Sequence, residues 1–432
     1  MDKKNKPELV EKKYLLTFAL ITLLFALWGF ANDITNPMVA AFQTLMELPA
    51  SQAALVQFAF YGGYATMAVP AALFIRRFSY KSAILLGLGL YAFGAFLFIP
   101  AAHYQAFSFF CFSLYILTFG LAFLETTANP LILSLGAKET STQRLNLAQA
   151  FNPVGSLVGM AIASNVVLPQ LVSDKRNAAG NVIFHGLSAA EKAEIRLHDL
   201  EIIRNPYVML GVIVLVVFVM IALKKIPRVN STAKYVSNKV TLWRLWYNRR
   251  YRYGVVAQMF YVGAQIMTWT YIIHYADRLG FDKATAQKFN IVAMTLFLTS
   301  RFISTYLMRH ISSRRLLMYF GMAACLTTLG TILIDGRGGL YCLVATSAFM
   351  SLMFPTIYGI ALEDVKAEDT TLGAAFLVMA IVGGAVIPPV QGAIIDFGTI
   401  GNMPAVNLSF ALPLLCFAIV TLYGWSAVKA SR

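Results

Sequence analysis

Two carboxylates stand alone in apolar sequence: Asp33 in LWGFANDITNP and Glu125 in LAFLETTANP. Neither has a basic residue close to it in the chain. Ionising an acid in such surroundings costs several kcal/mol unless it is paired or hydrated, so the neutral acid is favoured. A side chain held this way can take up and release a proton. The alternative for each is a protonated carboxyl group hydrogen-bonded to a neighbouring helix.

A second pattern surrounds these acids. Asn-Pro occurs three times within apolar runs, at Asn36-Pro37, Asn129-Pro130 and Asn152-Pro153. Proline has no N–H, so the carbonyl four residues earlier loses its helical donor; these carbonyls belong to Asp33, Thr126 and Gln149. Free carbonyls beside the amides of Asn32, Asn36, Asn129, Gln149 and Asn152 form a lining rich in acceptors, tolerable in a membrane only against protein or a wet cavity. Such a lining suits the hydroxyls of a sugar, although proline also serves simply as a kink. The later part of the chain offers Gln258, Gln265 and Trp269, then Phe354-Pro355-Thr356, with no deep carboxylate. An amide with an aromatic ring can bond one edge of a pyranose and stack on its apolar face; the competing reading is core packing. Gly155, Gly159, Ala163, Gly383 and Gly384 are expected to let helices approach closely. Arg301, about two turns from a span end, is expected to snorkel or to meet Glu363 or Asp364.

The elements that must position these residues follow from composition. Hydrophobic residues make up 58% of 432 positions and charged ones 13%, a balance that a soluble fold could not bury. A hydrocarbon core of about 30 Å takes roughly 20 helical residues to cross. Twelve runs fit: 15–46, 53–75, 82–102, 107–136, 145–168 and 206–223, then 255–279, 284–308, 316–334, 340–362, 372–395 and 406–430. The expected fold is therefore all-α and integral to the membrane. The net charge of +15 could signal nucleic acid, but the basic residues sit in short segments between the runs. With both ends inside, 25 of the 35 Lys and Arg residues fall in cytoplasmic segments, 9 fall outside and Arg301 lies within a span. That bias predicts cytoplasmic termini, with the polar N-terminal stretch a tail before a retained first helix. Cys111, Cys325, Cys342 and Cys416 are scattered singly and read as packing residues. The segment from Pro169 to Asn205 reads as a solvated outer loop.

The basic connection at residues 225–252 divides six spans (1–224) from six (253–432). The halves correspond at an offset of 233 residues: AALFIRRFSYKSAILL from Ala71 lines up with STYLMRHISSRRLLMY from Ser304, and Asn32 falls on Gln265. Two repeated, pseudo-symmetric six-helix halves are an architecture of secondary transporters. The alternative is likeness by composition alone. No HExxH, GxSxG or Walker loop is present and the five histidines do not cluster, so an enzyme is not expected; a polytopic membrane enzyme, such as a transferase acting on a sugar lipid, is the alternative from another class. No cofactor or metal is expected either.

GLAFLETTANP and RLNLAQAFNPVGS resemble the bacterial L-fucose permease family of the major facilitator superfamily. The likeness extends through AQMFYVGAQIMTWTYIIHYA and SAFMSLMFPTIYGIAL to IVGGAVIPPVQGAIIDFG, nearly the whole chain. It implies the major facilitator fold and hexose uptake coupled to protons across a bacterial inner membrane. Glu125 matches the family's membrane carboxylate, and Gln149 and Asn152 match its sugar-contacting amides. The family's second essential aspartate falls on Asn36, one turn after Asp33, and Phe354 stands where the family has a tyrosine. Either Asp33 assumes the aspartate's role from the same helix face, or Glu125 acts alone. A proton is thus the expected coupling ion, with sodium or uncoupled passage as alternatives. The expected partners are a neutral sugar and the bilayer, with the chain functional as a monomer.

Overall fold

In hydrocarbon a backbone must satisfy its own hydrogen bonds, and long apolar runs do so as helices. The computed structural model describes residues 8–48, 55–173, 175, 183–224, 237–281 and 283–430. The first half of the chain forms α1 (Leu15–Leu45), α2 (Leu55–Arg77), α3 (Tyr80–Phe96, continued by Phe98–His103), α4 (Phe107–Ser134), α5 (Ser141–Gln149 and Phe151–Ile162) and α6 (Ala189–Leu223). A short helix, Asn238–Tyr247, precedes α7 (Arg249–Arg278), α8 (Lys283–Leu307), α9 (Ser313–Leu333) and α10 (Arg337–Met350 and Met353–Leu362). Then come α11 (Thr370–Met379, Gly383–Val386 and Pro388–Ile395) and α12 (Ala411–Lys429).

Ten of these twelve are apolar and long enough to cross a membrane. The other two, α7 and α8, are long but carry Gln258, Gln265, Lys288 and Arg301, which dilute their hydropathy. The outward side of α6 shows how the rest meet lipid: Val212, Val216, Val219, Met220 and Leu223 recur at helical spacing and are all exposed. That stripe has no place in water and fits hydrocarbon.

The chain forms two compact units. One comprises Thr22–Thr127 and Phe151–Pro227; in it α3 packs along α6, and Ala71, Ile75, Ala83 and Phe123 form a core cluster. The other comprises Met1–Ile21, Ala128–Ala150 and Arg228–Arg432. There α12 packs on α9 and α7, and the first segment of α5 packs on the second segment of α10.

The internal repeat has a local counterpart. Ser79 and Ser312, 233 residues apart, each cap the following helix, accepting from the Ser82 amide at 3.0 Å and the Arg315 amide at 3.4 Å. An N-cap hydroxyl satisfies one of the donors that every helix start leaves open.

Two expectations change. The segment 189–205 is helical, not loop: α6 begins at Ala189, behind a capping box in which Ser188 and Glu191 bond each other's backbone. At 35 residues the helix is about 52 Å long at 1.5 Å per residue, so it projects beyond the bilayer. Its extension is tied down by the buried Asp199, which accepts from the Val172 and Ser173 amides at 3.0 and 2.8 Å, and by Lys192, which reaches Glu47 at 2.7 Å. Between α11 and α12 a small antiparallel ribbon pairs Thr399–Ile400 with Met403–Pro404.

Candidate functional site

Both isolated carboxylates are buried, Glu125 at 3% and Asp33 at 7% exposure. Asp33 follows Trp28 by little more than a turn of α1, and the adjacent Asn32 donates to its carboxylate at 3.4 Å. Trp28 bonds the hydroxyl of Tyr64 on α2. Tyr64 lies within electrostatic reach of Glu125, and Tyr61 within reach of Asp33. Asn152, part-buried at the start of the second α5 segment, donates to the Phe25 carbonyl at 3.2 Å. That contact exists because glycines admit it: a Cβ at Gly29 would collide with the Asn152 carbonyl, and one at Gly155 with the Ala26 carbonyl. Asp33, Asn32, Glu125 and Asn152 all belong to the unit that contains Thr22–Thr127. The side chain of Asn36 lies outside the described residues.

In the other unit Gln149 donates to Asn129 across α5 and α4 at 2.8 Å. The same face of α5 carries Asn146, whose amide bonds Thr356 of α10 at 3.1 Å, and Gln143, which bonds the Thr305 carbonyl of α8 at 2.9 Å. Trp269 donates to Ser347 at 3.2 Å and meets Phe297 edge-on at 5.0 Å. Phe354 stacks on Tyr358 and leans on Tyr261. Gln258 is fully buried, and among the described residues neither atom of its amide has a hydrogen-bond partner. Gln265 is part-buried, one turn before Trp269.

Arg301 departs from expectation. It neither snorkels nor meets Glu363 or Asp364: it is 4% exposed and donates to the carbonyls of Ser351 at 2.5 Å and Gln149 at 2.9 Å. Glu363 instead takes Arg314 at 2.5 Å, and Asp364 takes Arg250. Arg144, counted above only as a topology charge, is fully buried and caps the end of α4 through the Ile132 and Leu133 carbonyls at 2.6 and 2.5 Å.

The sequence profile of the Major Facilitator Superfamily matches residues 19–388. The chain belongs to the major facilitator superfamily. This facilitator is 62% identical to an L-fucose-proton symporter of Haemophilus influenzae, over 98% of the chain and 99% of the relative. It is 30% identical to a glucose/galactose transporter of Brucella abortus, over 97% of the chain and 96% of the relative. A crystal structure of a major facilitator transporter in the outward conformation superposes with a TM-score of 0.86 at 33% identity, covering 96% of the facilitator and 99% of that chain.

Sequence reasoning missed several polar contacts within each unit of the facilitator. Trp28, Tyr61 and Tyr64 lie in strongly apolar runs, where aromatic residues are abundant and carry little information. Asn146 had a usable signal: with Gln149 and Asn152 it recurs every three residues, on nearly one helical face.

Proposed function

We propose that this facilitator takes up a neutral hexose together with a proton by alternating access, with L-fucose first among the candidates and glucose, galactose and N-acetylglucosamine as relatives to compare. The observation that carries the reading is the near-complete burial of Glu125 within the apolar helix α4. A neutral Glu125 is both a donor to a sugar hydroxyl and a removable proton; deprotonation leaves a charge that the apolar surroundings oppose until sugar and proton have left. Carboxamides supply donor and acceptor pairs that match vicinal hydroxyls, while Trp269 and Phe354 supply apolar faces for the ring. The names borne by its relatives support the substrate class.

The coupling ion is a proton in this reading; because Asn36 cannot titrate, Asp33 and Glu125 are left as the acids. In this reading the protein works as a monomer in the inner membrane with both termini cytoplasmic; the distribution of Lys and Arg supports that orientation. Adding L-fucose to energy-depleted cells that express the protein should alkalinise the medium. Replacing external sodium by potassium should leave uptake unchanged. A halt on sodium removal, with no pH change, would establish sodium coupling instead.

A further inference from the structure

Two prolines leave carbonyls open at breaks in two helices. Pro153 deprives the Gln149 carbonyl of its helical donor, and Pro355 deprives Ser351. Gln149 closes the first segment of α5, and Ser351 immediately follows the first segment of α10. Both carbonyls thus sit at the C-terminal ends of half-helices, where partial negative charge gathers. The guanidinium of Arg301 bonds both, at 2.9 and 2.5 Å. The guanidinium carbon lies over the Phe297 ring, 4.5 Å from the ring centre, and that ring in turn meets Trp269. A buried cation in hydrocarbon needs compensation, and here backbone dipoles are part of it.

We propose that Arg301 is a positioning residue of the sugar site. It ties the end of the first α5 segment to the break in α10 and so sets the directions of the Gln149–Asn129 amide pair and of Phe354, three residues beyond Ser351. Through Phe297 it also backs the Trp269 ring. Arg301 itself touches no sugar. A rigid fork of N–H donors is needed because two carbonyls on different helices must be held at once; the ammonium of lysine is a point donor on a flexible stem. The inference rests on the assignment of Gln149, Asn129 and Trp269 to the sugar site.

The test is a double-mutant cycle in purified full-length protein reconstituted in nanodiscs, with L-fucose, D-glucose, D-galactose and N-acetylglucosamine as probes. Arg301→Met should weaken binding of the preferred probe at least tenfold, and Arg301→Lys should restore only part of the loss. Pro153→Ala returns a backbone donor to the Gln149 carbonyl while leaving Arg301 in place, and should weaken binding about threefold. Because the two substitutions act on one acceptor, Arg301→Met with Pro153→Ala should be no worse than Arg301→Met alone. Unchanged affinity in Arg301→Met, or simple additivity of the pair, overturns the proposal. If the unaltered protein binds none of the four sugars, the substrate reading fails separately. The same cycle is then read on the sugar-free melting midpoint, where additive shifts would still overturn the shared-acceptor arrangement.

Discussion

The proposed coupling chemistry rests on single side chains. Glu125→Gln keeps the shape and hydrogen-bonding capacity of the neutral acid but cannot release a proton. The variant should therefore exchange internal for external sugar at near-normal rates while losing accumulation against a gradient, as measured with labelled L-fucose in vesicles. Full accumulation would remove Glu125 from the coupling step. Gln258 poses a different question, since its amide is fully buried with neither atom bonded among the described residues. An unmatched buried amide costs stability, whereas an apolar side chain of similar size does not. Gln258→Met should leave the melting midpoint equal or higher and yet weaken sugar binding several-fold. A variant that is more stable and binds as tightly would show that the amide serves no ligand.

At the scale of elements, the breaks in α5 and α10 matter more than the helices' apolarity. Each break falls four residues before a proline, and each is where side chains of another helix make polar contact. Close approach is the second device: Gly29 and Gly155 let α1 and α5 touch backbone to backbone. Gly155→Leu should force the helices apart and cost at least about 1–3 kcal/mol, the usual range for overpacking. Its melting midpoint in detergent should fall accordingly, with Gly155→Ala intermediate. An unaltered midpoint for Gly155→Leu would mean that the contact between α1 and α5 yields freely.

Over the whole molecule, electrostatics is confined mainly to the ends of the helices. Glu47, just past α1, is paired with Lys192 of the α6 extension and lies near Arg196. The hydrogen bond from Lys192 holds the Glu47 carboxyl below its ordinary value. A folded-state value below the unfolded one stabilises the protein above the unfolded value and is lost as pH falls through the folded one. The gap in melting midpoint between the unaltered protein and Glu47→Gln should thus be full at neutral pH and close in acid, below the usual carboxylate range. A gap that widened on acidification would contradict the ion pair. Because Glu47 is 39% exposed, the effect should be small and weakened by salt.

Much of this protein was legible in its amino-acid order. Apolar runs of membrane length, the offset of 233 residues and the segregation of Lys and Arg are properties of sequence, because a bilayer imposes one length and one kind of backbone on whatever crosses it. The isolation of Asp33 and Glu125 was equally visible, since an acid among apolar residues needs no partner to be conspicuous. The extended α6 could have been read from Ser188 and Glu191, but its polar surface resembles that of a loop. Tertiary structure alone decided where Arg301 goes. Prolines announce which carbonyls lose a donor, yet the donor that replaces it comes from another helix, and only the packing of α5, α8 and α10 brings that guanidinium to Gln149 and Ser351.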